Sequence, residues 1–415
     1  MKIFLCIIFF CIFTNAADVN IEKFIIESKQ LNKKISSSYG SDLFFKGLDQ
    51  KGNLTFWVIS DRGPNTKAPK IIKKNSLYEA KFFPIPDFTP SIALLVLEKD
   101  KAYIKKEINL KQDGVKVSGI PNKTNLNNTE LGLDFNFKEL NYDKNGLDTE
   151  GISVDKNGNF WISDEYGPYI IKVDSKGNIL EKYSPNDILP SILNNRKLNN
   201  GIEAISINNK EEIIFAMQSV LNINNQNSKY IRIVKFNPKN KLSKMYAYEI
   251  GNGYKNSSDA KIGAITFLNE DKFLIIEQGK QNGIMQNLIY IIDLKNASEI
   301  PNTEDLEFNN IKKLKTIEKK LLLNLRDYGW DIEKAEGIAL INNKTLAIIG
   351  DNDFGIKTGI VNNEHKKSKI KNYSYDIDRK ELYYKNKKTD AVFFIEPKEK
   401  NDNQIWIFTF DSDIK

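Results

Sequence analysis

The chain has few of the side chains that form cross-links or bind soft metals. Its 415 residues include two cysteines, Cys6 and Cys11, and one histidine, His365. Both cysteines lie in a segment that we expect to be removed, so the mature chain would lack disulfide and thiolate chemistry. Zinc sites built from several histidines are excluded. A Ser-His-Asp triad would have to use His365, whose lysine-rich flank predicts a solvated loop.

The N-terminus has the pattern of a secretory signal. Lys2 precedes an apolar run from Ile3 to Phe13, and small residues follow as far as Ala17. The run is shorter than the ~20 residues that a spanning helix needs. We therefore predict a signal peptide at residues 1–17 and a single domain at 18–415. The mature chain would have no transmembrane segment and would be exported to the periplasm or the medium.

The charge distribution argues against a nucleic-acid partner. The net charge of +7 is modest, and the lysines are scattered among asparagine and isoleucine. A lysine run of this kind is usually a solvated face, and no basic helix interleaved with aromatics is present in the sequence. We expect a monomer that acts on a small molecule.

The hydrophobic pattern is that of β-strands. Short β-branched and aromatic runs, such as residues 160–163, alternate with turns rich in glycine, asparagine and aspartate. Helical spacing occurs only near residues 316–325. The sequence therefore predicts an all-β protein.

A strand–turn–strand unit recurs along the chain. Four copies begin at Glu150, Glu203, Gly263 and Glu336, and they close 14 or 15 residues later at Asp164, Gln218, Glu277 and Asp351. A partial copy closes at Asp61. The closing positions are 54, 59 and 74 residues apart, whereas one propeller blade takes ~40–50 residues. These intervals fit one blade plus a loop.

We predict a β-propeller of six blades, with five and seven as alternatives. A sixth blade would lie in an insertion or be closed by the terminal strands near residues 24–26 and 405–408. The polar insertion at 113–145 is expected to be a surface loop. A β-sandwich gives no repeat of this period, and a β-helix repeats over fewer residues.

Equivalent positions of successive blades form a ring, so the repeated acids would meet at one mouth of the channel. Clustered carboxylates repel one another unless cations or protons neutralise them. Oxygen-only clusters suit Ca²⁺ or Mg²⁺, and Ca²⁺ tolerates an irregular geometry better. Alternatively, acids at strand ends cap turns and brace neighbouring blades. The candidate metal ligands are Asp61, Glu150, Asp164, Glu203, Glu277, Glu336, Asp351 and Asp353.

Three further side chains are candidates for catalysis. Arg62 and Lys334 lie beside the acids in sequence and could neutralise a phosphate, or they could be salt-bridge partners that hold an acid in place. Glu165 is the candidate general base on its position alone.

Several motifs resemble those of the phytase-like propellers, a family described by the phrase "esterase-like activity of phytase". They lie at residues 60–63, 146–151, 160–168, 335–339 and 351–355. The resemblance implies a bacterial exported propeller that is rich in acids and hydrolyses phosphate esters with calcium. Gly263 and Gln218 stand where the other copies have acids, so the ring would have fewer carboxylates on one side.

These observations favour a Ca²⁺-dependent phosphoester hydrolase. Two alternatives stay open. One is a non-catalytic propeller that binds a ligand or an envelope partner. The other is a lactonase-like esterase with a single axial Ca²⁺.

Overall fold

A computed structural model describes residues 19–123, 130–185, 187–305, 307–308, 314–362, 364, 368–399 and 402–415. The predicted signal peptide and His365 lie outside these residues. Regular structure in the described residues is β-strand except for five short 3-10 helices, at Ser191–Asn195, Ser257–Asp259, Leu325–Tyr328, Asp353–Gly355 and Ile370–Asn372. The all-β prediction is confirmed. None of the described helices has the length and apolarity to cross a membrane.

Most strands belong to five units of four antiparallel strands, named here units 1 to 5 and listed from the inner strand outward. The outer strands of units 1 and 5 also pair in parallel, Ile26 opposite Ala102, so these two units form one eight-stranded sheet. Unit 1 is Asp42–Leu48, Leu54–Ile59, Ser91–Glu98 and Lys101–Asn109. Unit 2 is Thr149–Val154, Phe160–Asp164, Tyr169–Val173 and Ile179–Tyr183. Unit 3 is Ile202–Ile207, Ile213–Met217, Tyr230–Asn237 and Leu242–Glu249, with Glu299–Ile300 at its edge. Unit 4 is Lys261–Asn269, Lys272–Gln281, Ile284–Asp293 and Glu318–Asn324, and unit 5 is Lys334–Asn342, Thr345–Asp351, Gln404–Phe410 and Val19–Glu27.

The inner strands of these units lie against one another in chain order, and that of unit 5 also lies against that of unit 1. The arrangement is therefore propeller-like. The two terminal strands pair with each other, Val19 opposite Phe410, as the sequence suggested. They complete unit 5, which the copy at Glu336 begins, and do not form a separate unit.

A recurrent turn joins inner and second strands. In unit 2, the Asp155 carboxylate accepts hydrogen bonds from the backbone N–H groups of Asn157 and Asn159, each at 2.9 Å. Gly158 has a φ of 81°, which only glycine adopts without strain. Asp49 holds the equivalent turn in unit 1. These acids are structural and lie at the end of the hairpin opposite the repeated acids.

Two local expectations are wrong. Residues 318–324 form an edge strand that pairs with Ile284–Asp293, because sheet pairing outweighs a short helical spacing. The insertion at 113–145 is more than a surface loop. Its Leu131 and Leu133 are buried in a small apolar core with Phe82, Tyr373 and Phe393.

That small core joins accessory sheets built from insertions. They consist of Thr66–Lys67, Ala80–Phe82 and Leu131–Leu133; of Lys70–Lys73, Ser76–Tyr78, Tyr373–Asp376, Glu381–Tyr384 and Lys387–Lys388; and of Ile356–Val361 with Val392–Pro397. Three short hairpins complete the described strands, at Gln30–Asn32 with Ile35–Ser36, Lys111–Gln112 with Val115–Lys116, and Asn222–Ile223 with Gln226–Asn227.

Asp42, which the sequence reasoning missed, connects three units. Its carboxylate accepts a hydrogen bond from the Ile152 N–H of unit 2 at 2.9 Å and one from the Ile338 N–H of unit 5. The side chain is buried. Asp42 therefore braces the inner strands where the first and last units meet.

We expect Asp42→Ala to lower the free energy of unfolding by roughly 2–6 kcal/mol, because the buried N–H groups of Ile152 and Ile338 lose their acceptor at about 1–3 kcal/mol each. Urea unfolding measures the loss. Asp100→Ala, in an exposed turn, is the matched control. Equal unfolding midpoints for the two variants would show that the brace contributes nothing.

Candidate acidic site

A β-bulge places the repeated glutamates. The pairing of the inner and second strands shifts register between Thr149 and Gly151 in unit 2, and Glu150 is the extra residue. The same shift occurs at Glu203, Gly263 and Glu336 in units 3 to 5. A bulge changes the direction of a side chain. The bulged glutamates therefore do not follow the alternation of side-chain directions that would otherwise place them between two sheets.

The bulged glutamates and the ends of the second strands meet at one cavity of about 360 Å³. Eight carboxylates and five cations line it, which leaves an excess of negative charge if all are ionised. The carboxylates are those of Asp61, Glu150, Glu165, Glu203, Glu333, Glu336, Asp351 and Asp353. The cations are those of Arg62, Lys67, Lys81, Lys261 and Lys334.

Glu150 is the centre of this cluster. One of its oxygens lies within 4.8 Å of oxygens of Glu203 and Glu336, and a similar group joins it to Asp148 and Glu165. Among the described residues, its carboxylate has no hydrogen bond or ion pair. Burial and the charges of Asp148 and Glu203 raise its pKa well above the usual value. An all-oxygen set with this charge suits a hard divalent cation.

Glu165 is the second carboxylate that lacks a partner. It is 3% exposed, and its Oε1 has no hydrogen bond in the described structure. Burial and the nearby Asp148 raise its pKa. A buried carboxylate oxygen without a donor is costly unless a ligand, water or ion satisfies it.

The other ring acids differ in how they are compensated. Burial raises the pKa of Glu336 to about 8, although Lys334 opposes the rise. Burial and then the charge of Asp351 raise the pKa of Asp61. Burial also acts on Asp353, but Lys334 and Lys398 hold its pKa well below the usual value. Lys334 and Lys398 therefore offset the charge of Asp353, and Lys334 that of Asp351, whereas Asp61 and Glu150 have no lysine or arginine within ion-pair distance among the described residues.

Two predicted ligands do not reach the cavity. The Asp164 carboxylate accepts hydrogen bonds from the backbone N–H groups of Asp148 at 2.7 Å and Gly167 at 2.8 Å. Glu277 accepts from Tyr248 Oη at 2.6 Å and from Lys319 Nζ at 2.9 Å. Neither side chain lines the cavity. Both have the structural role that the sequence left as the alternative for strand-end acids.

The two predicted cations line the cavity but are ion-paired. Arg62 Nη1 lies 2.5 Å from Glu130 Oε1 and 3.2 Å from Asp148 Oδ2. Lys334 Nζ lies 2.9 Å from Asp353 Oδ1 and 3.0 Å from Asp351 Oδ2. Each therefore holds acids in place, as the salt-bridge alternative had it.

Several site residues were missed by sequence reasoning. Asp148 lies inside the motif at 146–151, two residues before Glu150, and that spacing was the available signal. Glu130 and Lys81 carry no signal, because they come from an insertion and an accessory sheet. Lys261 lies two residues before Gly263, as Lys334 does before Glu336, and that spacing was its available signal.

The two departures from the repeat have physical reasons. A Cβ on Gly263 would lie 2.4 Å from the backbone oxygen of Ala335, so unit 5 leaves no room for a side chain there. Gln218 donates from Nε2 to Glu203 Oε2 at 2.7 Å, which a glutamate could not do when ionised. The ring of carboxylates therefore lacks members on the side of unit 4.

The fold and the cavity define an all-β, propeller-like protein with a carboxylate-rich site. Residues 45–354 match the Phytase-like family, described as esterase-like activity of phytase. The match covers about three quarters of the chain, and the protein belongs to this family. The resemblance that the motifs indicated is confirmed.

One curated relative and several solved structures are similar to parts of the chain. An "Uncharacterized secreted protein" of Arthroderma benhamiae is 49% identical over 41 residues, which are 10% of this chain and 8% of that protein. The match thus spans a small part of the relative's length.

Among solved structures, a PQQ-bound aldose sugar dehydrogenase from Streptomyces coelicolor is 9% identical, with 94% of this chain and 99% of that chain covered and a TM-score of 0.32. A gluconolactonase from Xanthomonas campestris is 9% identical, with 91% and 99% covered and a TM-score of 0.33. Likeness at these scores does not define a shared activity.

The raised pKa values predict how stability depends on pH. In chelator, the free energy of unfolding should fall as the pH rises from about 5 to about 8.5. A carboxyl whose folded-state pKa is raised stabilises fully below its unfolded-state pKa of about 4.3, and this contribution is lost as the pH rises through the folded-state value. For Glu336 that value is about 8.

Urea unfolding at a series of pH values measures this dependence. Glu336→Gln should flatten it, because the amide does not titrate. A wild-type stability that rises or stays constant from pH 5 to pH 8.5 would contradict the raised values.

Proposed function

We propose that this protein is an exported, Ca²⁺-dependent hydrolase of phosphate esters. The observation that carries the proposal is the Glu150 carboxylate, which lies within 4.8 Å of other carboxylates and has no cationic partner in the described chain. A cation in this place would remove the repulsion that raises the pKa values around it. Family membership supports an ester substrate.

Glu150, Glu203 and Glu336 would hold the cation. Each comes from the bulge of a different unit, so ring closure brings their oxygens together. When bound, calcium polarises a phosphate oxygen and lowers the pKa of a bound water. The carboxylates outnumber the cations in this cavity, so an ester phosphate would depend on the bound cation and on Lys81 and Lys261 in the same wall.

Glu165 is the proposed general base. Its unpaired Oε1 is able to accept a proton from water, and the raised pKa brings the carboxylate closer to the operating pH, where general bases are most effective. Arg62 holds Asp148, a neighbour of Glu165 in the second carboxylate group, at 3.2 Å. We therefore assign Arg62 and Lys334 to positioning the acids and neutralising charge.

The architecture belongs to the same proposal. We infer that units 1 to 5 are the five blades of one propeller, closed by the pairing of the terminal strands in unit 5. Five was one of the alternatives to the six blades favoured by sequence. The N-terminal pattern and the name of the partly matching relative support export.

Calcium should stabilise the wild-type protein and support turnover. Ligand at a hundred times its Kd adds about 2.7 kcal/mol of stability, so we expect a Tm rise of several degrees, and hydrolysis of p-nitrophenyl phosphate that chelator abolishes. Glu150→Gln should lose most of the Tm shift and the turnover.

Glu318→Gln, at an exposed strand position, is the control and should keep both properties. A Tm shift without turnover on any phosphoester would favour the non-catalytic binding alternative. The absence of both effects in the wild type would contradict the proposal.

Glu165→Gln separates a base from a ligand. If Glu165 is the base, kcat should fall about 10²- to 10⁴-fold, while the Ca²⁺-dependent Tm shift is retained. Steady-state kinetics and thermal melting of the same preparation measure both. Loss of the Tm shift together with activity would instead assign Glu165 to cation binding with Asp148 and Glu150.

A further inference from the structure

A second cavity of about 820 Å³ adjoins the acidic one. The two share Lys261, Glu333, Lys334 and Glu336 in their walls. Tyr254, Met285 and three glycines line part of the remainder, together with the charged side chains of Lys255, Asp259 and Lys280. The volume of this cavity is in the range of small-molecule sites.

Tyr254 is fixed in the wall of this cavity. Its Oη donates to Glu277 Oε1 at 3.0 Å, and Glu277 is in turn held by Tyr248 and Lys319. A Cβ on Gly279 would lie 2.9 Å from Tyr254 Cε1, so glycine allows the ring to pack there. A ring held in this way is suited to contact with a planar organic group.

Lys261 lies where the two cavities meet. Its Nζ donates to the neutral Gln218 Oε1 at 2.6 Å, and it has no ion-pair partner in the described part of the chain. Lys334, which lines both cavities as well, is already paired with Asp351 and Asp353. Lys261 therefore has its charge available for an anionic group.

Gln218 maintains this state of Lys261. It accepts from Lys261 and donates to Glu203 Oε2 at 2.7 Å. The other copies have an acid at the position of Gln218. A glutamate at this position would pair with Lys261 and repel Glu203. The departure from the repeat thus has a consequence for anion binding as well as for the ring.

We propose that the larger cavity binds the aromatic leaving group of the substrate and that Lys261 binds an anionic oxygen of its phosphate. This inference rests on the proposed function and adds to it a substrate class, phosphate esters of aromatic alcohols. In the reaction, the water oxygen bonds to phosphorus, the bond from phosphorus to the ester oxygen breaks, and the alcohol leaves with a proton.

Binding of phosphonates, which are not hydrolysed, tests the site without turnover. Calorimetry on the Ca²⁺-loaded mature protein should show phenylphosphonate binding at least 10-fold more tightly than methylphosphonate. Lys261→Met should weaken both at least 10-fold, and Lys261→Arg should restore most of the affinity. Met285→Trp, which fills the larger cavity, should weaken phenylphosphonate and leave methylphosphonate unchanged.

One further variant and one further measurement exclude a merely structural effect. Gln218→Glu should weaken phosphonate binding as Lys261→Met does, although the lysine is retained. Lys261→Met should give a larger Ca²⁺-dependent Tm shift than the wild type, because it removes a positive charge near the carboxylates, whereas an unfolded variant would show none.

The inference and the proposed function fail in different ways. An inactive protein that binds phenylphosphonate through Lys261 would overturn hydrolysis and support the site. Equal affinity of wild type and Lys261→Met for phenylphosphonate, equal affinity of the wild type for the two phosphonates, or no binding to the wild type would overturn the site.

Discussion

The site depends on one backbone feature, the β-bulge at the start of an inner strand. In a regular strand, successive side chains alternate between the two faces, and a glutamate would point toward a neighbouring sheet or away from it. The extra residue at Glu150, Glu203 and Glu336 breaks this alternation. Because the inner strands of the units lie side by side, the three side chains converge.

Bringing these carboxylates together costs electrostatic free energy, and the protein offsets that cost for some of the carboxylates and not for others. Burying a carboxylate without a partner is unfavourable, and a second carboxylate nearby adds repulsion. Lys334 offsets this cost for Asp351 and Asp353, and Gln218 does so for Glu203. Glu150 has no such partner among the described residues. The proposed binding site rests on this difference, because acids that serve only as braces would be satisfied throughout.

The repeat in the sequence predicted much of this arrangement, since equivalent positions in a ring must meet. It predicted the placement of the bulged glutamates and of Asp61, Asp351 and Asp353 at one cavity. It failed for Asp164 and Glu277, because sequence does not show whether a backbone N–H or a tyrosine will satisfy a strand-end acid. It could not place the terminal strands in unit 5, because Gln404–Phe410 pairs with Thr345–Asp351 across an insertion of about 50 residues that the repeat does not bridge.

Two of the residues that the repeat did not predict come from outside it. Glu130 and Lys81 come from insertions, and the accessory core of Phe82, Leu133 and Phe393 fixes where those insertions pack. Lys261 begins the inner strand of unit 4 as Lys334 begins that of unit 5, but Lys334 is ion-paired with Asp351 and Asp353 and Lys261 is not paired in this way. In a ring of similar units, repeated residues can build a symmetric cation site, but a substrate that is not symmetric requires contacts from one side only. Residues unique to one unit or insertion are therefore where specificity for the organic part of a substrate should lie.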